Sequence, residues 1–99
     1  MKYALSREAR NDLENIWLYT YETWSLEQAD RYYRQLLDEI EYLSDHPNSG
    51  KDVGIIRKGY LRSKVQSHFI FYKINKKKNE IEIIRILHQQ MDIENRLGK

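Results

Sequence analysis

Ninety-nine residues with 40% hydrophobic and 32% charged side chains suffice for one domain, expected over 1–99, with roughly two-thirds of the unfolded surface buried on folding. The absence of cysteine excludes disulfides, thiolate chemistry and cysteine-ligated metal, while a start charged almost at once, MKYALSREARNDL, and the lack of any long apolar run point to a cytoplasmic protein without a membrane partner. The net charge of +2 conceals a division: residues 1–50 carry 5 Lys/Arg against 10 Asp/Glu, and residues 51–99 carry 12 against 5.

Lys2–Leu5 alternates weakly and suits a short first strand. Ser6 is placed to cap a helix running to about Thr23, with Glu8 in its first turn, where a carboxylate faces the free backbone N–H groups. Ala9, Leu13, Ile16, Trp17 and Trp24 recur at helical spacing and define a buried stripe, and Thr20 on that stripe is suited to bond back to the Ile16 carbonyl. Leu18 points well away from the stripe and Tyr21 lies at its edge. Ser25 with Gln28 then forms a capping-box pattern that starts a second helix at once. The stripe of this helix is Ala29, Tyr33, Leu36, Leu37, Ile40 and Leu43, with Tyr42 on the outer face. His46-Pro47-Asn48-Ser49-Gly50 stops it. Two helices so briefly connected form an antiparallel hairpin.

Beyond the turn, Gly54 and Gly59 flank a loop or bent edge strand. Tyr60–Gln66 alternates Leu61 and Val65 with Arg62 and Lys64, giving one apolar and one basic face. A tight turn at Gln66-Ser67 leads into His68–Asn75, and a basic turn at Asn75–Asn79 leads into Glu80–Leu87. These last two runs are apolar on both faces, as central strands are. Arg85 and His88 interrupt the second of them. Met91–Leu97 suits a short terminal helix or tail. The fold class expected is α+β in the order β-α-α-β-β-β, an antiparallel sheet covered on one face by the helical hairpin. Nine basic residues against one acid between Lys51 and Lys78 aim the C-terminal half at something anionic, either nucleic acid or an acidic protein surface.

The element order, the segments ARNDLENIWLYTYETW and HPNSGKDVGIIRKGYLR, and above all SHFIFYKI followed by IIRILHQQMD, resemble the ParE branch of the RelE/ParE toxins across nearly the whole chain. Gln66 departs from the pattern, standing where relatives often carry a glycine that eases the hairpin turn. The resemblance implies a toxin of a type II toxin–antitoxin system that targets DNA gyrase and is neutralised by direct binding of a ParD-type antitoxin. Helix-in-groove docking and strand addition are two ways in which an antitoxin segment binds such a domain. Leu18, Tyr21 and Tyr42 are the candidate antitoxin anchors, and Arg57, Arg62, Lys64 and Arg85 the candidate target contacts.

The RelE side of the superfamily consists of ribosome-dependent mRNA nucleases, which defines the alternative. Metal-free RNA cleavage requires a base for the 2′-OH, cations for the phosphorane and an acid for the leaving oxygen. Arg57, Arg62, Lys64 and Arg85 are available as cations and His88 as acid or base. No carboxylate base stands on the basic strand, and Tyr72, inside an apolar strand, suits the core with its hydroxyl satisfied. A non-catalytic binder is therefore the reading preferred.

Each candidate also has a structural role open to it. Arg85 can pair with Asp12 or Glu14, and His88 can cap the strand end by bonding to backbone. His68 suits a structural position and His46 an exposed turn. The three histidines lack metal-ligand spacing, so neither metal nor cofactor is expected. The chain also lacks the pattern of a standard nucleic-acid reader, which confines DNA contact to a complex with gyrase.

Overall fold

In the computed structural model, which describes residues 1–97, the Ser6 hydroxyl accepts from the Ala9 amide at 2.9 Å and starts the first helix, α1, Arg7–Thr23. The final two positions of the expected 1–99 domain, Gly98 and Lys99, lie outside the described residues. Along α1 Ala9, Leu13 and Thr20 are buried, and the Thr20 hydroxyl donates to the Ile16 carbonyl at 2.7 Å. Trp24 corrects the expected stripe. It follows the last helical residue at φ −122° and ψ −85°, so helical periodicity no longer directs its side chain, which is 67% exposed. The second helix, α2, Leu26–Asp45, starts where Ser25 Oγ accepts from the Gln28 amide at 3.1 Å. It buries Ala29, Leu36, Ile40 and Leu43, and Tyr33 and Leu37 are half-buried.

The strands are β1, Lys2–Leu5; β2, Lys51–Asp52; β3, Leu61–Val65; β4, His68–Asn75; and β5, Glu80–His88, followed by a short helix α3, Ile93–Leu97. They form one sheet in the order β1-β5-β4-β3-β2. The expected antiparallel meander β3-β4-β5 is present, and β1 joins β5 in parallel, from Lys2 opposite Glu80 to Leu5 opposite Ile83. The sheet is therefore mixed. β2 is two residues long, too short to leave a period in the sequence. Gln66 takes the turn before β4 in the left-handed region at φ 51°, the conformation its replacement of glycine required.

The helical hairpin packs Leu13, Leu36, Ile40 and Leu43 against Ile70, Tyr72, Ile81, Ile83 and Ile86, forming the main core. Burying each such side chain contributes about 1.5–3 kcal/mol. A second cluster gathers Phe71 and Leu87, alternate residues of the same strands, with Val53, Tyr60 and Leu97. The loop before β3 and helix α3 thus cover part of the second sheet face. The sequence predicts a cover over one face only.

Two side chains fix the frame around β5. β1 leaves the sheet at Leu5 while β5 continues to His88, so the edge of β5 needs other partners for its polar backbone. The Ser6 amide donates to the Ile83 carbonyl at 3.0 Å, Ser6 Oγ donates to the Ile84 carbonyl at 2.7 Å, and Asp12 Oδ2 accepts from the Ile86 amide at 2.9 Å. A bulge shifts the register here, with Phe71 opposite Arg85 and Tyr72 opposite Ile83. The fully buried Tyr72 donates its hydroxyl to the Pro47 carbonyl at 2.8 Å and accepts from the Gly50 amide at 3.0 Å. A Cβ on residue 50 would fall 2.8–2.9 Å from ring atoms of Tyr72, so the turn that ends α2 requires glycine at that point.

Candidate functional site

Where the end of α1 and the start of α2 overhang the open ends of β4 and β5, they leave a cleft of about 710 Å³. Its walls include Trp24, Arg31, Tyr32, His68, His88 and Met91. The two histidines are directly paired residues on neighbouring strands, and their rings meet edge-on with centroids 5.2 Å apart. Tyr32 of α2 closes the floor: its oxygen lies 2.9 Å from the Val65 carbonyl and 2.7 Å from His68 Nδ1. The single hydroxyl proton goes to the carbonyl, so the network assigns a proton to His68 Nδ1, which donates to the tyrosine oxygen. His88 Nδ1 accepts from the Gln90 amide at 3.1 Å. That is the backbone-bonded role open to it at the strand end.

Burial, and then the neighbouring His88, push the pKa of His68 down to about 4, against an opposing pull from Asp12. Burial likewise raises the pKa of the Tyr32 hydroxyl. The linkage sign follows. Below pH 6.5 the unfolded histidine takes a proton that the folded one refuses, so stability from neutral His68 is complete above 6.5 and lost as pH falls toward 4. Urea midpoints compared at pH 7 and pH 4.5 are expected to fall more for the native chain than for His68→Gln. An equal fall in both would remove His68 as the cause.

Arg85 also reaches this cleft, but its guanidinium is engaged. Nε and Nη2 donate to the Asp12 carboxylate at 2.9 and 3.0 Å, and this partner raises the arginine pKa. Arg62 and Lys64 line a different surface, where they lie over the Phe69 ring at 4.3 and 5.7 Å from its centroid. Arg57 belongs with them through the second cluster: it sits 5.8 Å from the Tyr60 ring centroid and donates to the Leu97 carbonyl at 3.2 Å. The five candidate cleavage residues therefore do not converge. Arg85 and His88 face the cleft, while Arg57, Arg62 and Lys64 lie around the second cluster. Among the described residues, no three His, Asp or Glu side chains gather as metal ligands, and no helix is long and apolar enough to cross a membrane.

The candidate antitoxin anchors Leu18, Tyr21 and Tyr42 are all exposed. Tyr21 stacks on Trp17 at 5.3 Å, and Trp17 Nε1 donates to Asp30 Oδ1 at 2.9 Å, which fixes that end of the hairpin. Tyr42 stacks on His46 at the far end of α2, about 18 Å from Asp30 along the helix axis at 1.5 Å per residue. Leu18 and Tyr21 are thus brought together and Tyr42 is set apart. Three further exposed apolar residues in this part of the chain are not predicted by the sequence: Tyr19 and Trp24, which line the cleft, and Leu26. For Trp24 a signal was present, because the residue just before an N-cap serine is outside helical periodicity.

Comparison with known proteins adds to this geometry. A family model described as the ParE toxin of the type II toxin–antitoxin system parDE matches residues 3–93. Over 96 residues the chain is 42% identical to a Caulobacter vibrioides protein named toxin ParE1, an alignment covering 97% of each. It is 36% identical over 96 residues to a Mycobacterium tuberculosis toxin ParE1, again across 97% of both. Its fold is similar to a solved structure of the chromosomal ParDE system from P. aeruginosa, with a TM-score of 0.77 at 19% identity, covering 89% of this chain and 95% of that one.

Proposed function

This chain belongs to the ParE toxin family of the type II toxin–antitoxin system parDE, and on that premise we propose that it acts in the cytoplasm by binding DNA gyrase and is neutralised by a ParD-type antitoxin. The toxin is a binder in this reading, not an enzyme. The observation that carries it is the division of the cleavage inventory between two surfaces. Arg85 is held by Asp12, and His88 Nδ1 is occupied by the Gln90 amide. Arg62 and Lys64 lie elsewhere, over Phe69. General acid–base cleavage needs its groups within hydrogen-bond reach of one reacting phosphate.

Arg62 and Lys64, with Arg57 beside them, are the target-facing strip in this proposal. Arg85 serves the fold, because its guanidinium is already bidentate to a carboxylate. Contact with DNA is confined to the complex with gyrase. The antitoxin docks on the exposed apolar side chains at the hairpin tip, Leu18 and Tyr21. Tyr42 belongs to this surface only if the antitoxin segment runs the length of α2.

Purified protein is expected to inhibit gyrase supercoiling, and equimolar antitoxin to restore it. Full supercoiling in its presence, together with codon-dependent cleavage of ribosome-bound mRNA, would replace this reading with the nuclease one.

A further inference from the structure

Between Asp52 and Leu61 the chain makes a loop whose backbone is closed on itself. The Val53 amide donates to the Tyr60 carbonyl at 2.9 Å, the Ile56 amide to the Val53 carbonyl at 2.9 Å, and the Tyr60 amide to the Arg57 carbonyl at 3.1 Å. The Gly54 amide donates to Asp52 Oδ1 at 2.7 Å, and Gly59 takes φ +85°, a conformation that closes the turn at little cost only for glycine. Val53 and Tyr60 are buried in the second cluster and Ile56 packs against it. Every large apolar side chain of the loop is therefore used as an anchor except Ile55, which is 99% exposed.

A single exposed apolar residue is ordinary on a protein surface. This one differs in being almost wholly in water at the tip of a loop whose conformation is already fixed, so docking it costs little ordering entropy. Its surroundings are one-signed as well. From Lys51 to Lys64 there are five basic residues and one acid, Asp52, and the acid is bonded to the Gly54 amide.

We propose that Ile55 is the apolar anchor of the target-facing surface, seated in an apolar pocket rimmed by carboxylates on the protein target. The cations of β2 and β3, Lys51, Arg62 and Lys64, together with Lys58, meet that rim. Charge complementarity selects the partner: an acidic rim answers the four cations, and a pocket answers the sec-butyl side chain of Ile55. A nucleic-acid partner fits less well, because the tip offers no aromatic ring for base stacking and carries Asp52 at its base. The proposal rests on the target-binding reading above and gives its contact a position and a chemistry.

The test compares the full chain with Ile55→Asp and Ile55→Ala. Supercoiling inhibition by Ile55→Asp is expected to weaken by about tenfold or more, with a smaller loss for Ile55→Ala. Melting temperature and antitoxin affinity stay unchanged, because the side chain packs on nothing within the chain. Undiminished inhibition by Ile55→Asp would overturn the anchor while leaving gyrase as the target. If the native protein leaves gyrase untouched yet arrests growth, loss of arrest in Ile55→Asp upholds the anchor and rejects gyrase, and retained arrest overturns the anchor. Binding of the native protein to duplex DNA alone, lost in Ile55→Asp, would overturn the protein pocket in favour of a nucleic-acid groove. A native protein with none of these activities overturns both proposals.

Discussion

Replacing Asp12 with alanine is expected to lower the unfolding free energy by about 3–5 kcal/mol, read as a shift in the urea midpoint at unchanged slope. The carboxylate takes three hydrogen bonds, from Arg85 Nε at 2.9 Å, Arg85 Nη2 at 3.0 Å and the Ile86 amide at 2.9 Å. The side chains of Arg85 and Asp12 are only 21% and 12% exposed. Removing Asp12 leaves a guanidinium mostly out of water and an edge N–H without its acceptor. Against a total of about 5–15 kcal/mol for a domain of this class, that is a large share. By contrast, Lys73 and Glu82, 3.7 Å apart and more exposed, should contribute under about 1 kcal/mol. Replacing Asp12 with leucine and Arg85 with methionine together should recover part of the loss, since neither variant side chain carries a buried charge. A loss below about 1 kcal/mol in Asp12→Ala would reduce the pair to an ordinary surface contact.

That ion pair also marks how far the fold could be read from residues alone. The bounds of α1, the start of α2 and the whole of β4 follow from local signals: serine caps, 3.6-residue stripes, a proline stop and two-sided apolar runs. Pairing of Arg85 with Asp12 or Glu14 was foreseeable as a choice, because a cation in a central strand needs a carboxylate from whatever packs against it. The sequence could not decide between the two, since the answer depends on where α1 crosses the edge of β5. The parallel pairing of β1 was illegible for the same reason. A bulge leaves Ile84 as the extra residue between Ile83, opposite Tyr72, and Arg85, opposite Phe71, and a bulge has no signature in a strand that is apolar on both faces. The second cluster was missed because Val53, Ile56 and Tyr60 lie scattered through a loop without periodicity.

The candidate site was legible by chemistry more than by position. Exposure of Leu18, Tyr21 and Tyr42 was predictable from their place off the buried stripes, but the distance of Tyr42 from the other two reflects hairpin geometry. Arg62 and Lys64 were assigned to one face by strict alternation, and they share the Phe69 ring on that face. Arg85 shares their charge, yet it is tied to Asp12 and faces the cleft, on a different surface. Charge alone does not carry position.

The second large effect is expected from Arg62 and Lys64 replaced together by alanine. Both cations are held over one aromatic ring, an arrangement that fixes them before any partner arrives. Each such contact contributes about 0.5–1 kcal/mol at an exposed site, so their loss lowers the melting temperature by several degrees and leaves the chain folded. Truncating the paired cations of an interface costs far more in binding, about 2–5 kcal/mol where the charges become buried against carboxylates. Gyrase inhibition should therefore weaken by more than about tenfold. The proposed antitoxin surface at the hairpin tip contains neither residue.

The most direct measurement takes one preparation of this double variant and determines both its inhibition of gyrase supercoiling and its Kd for the antitoxin. Separate surfaces predict a more than tenfold loss in the first and about the native value in the second. Equal losses in both, from a variant that stays folded, would contradict that division.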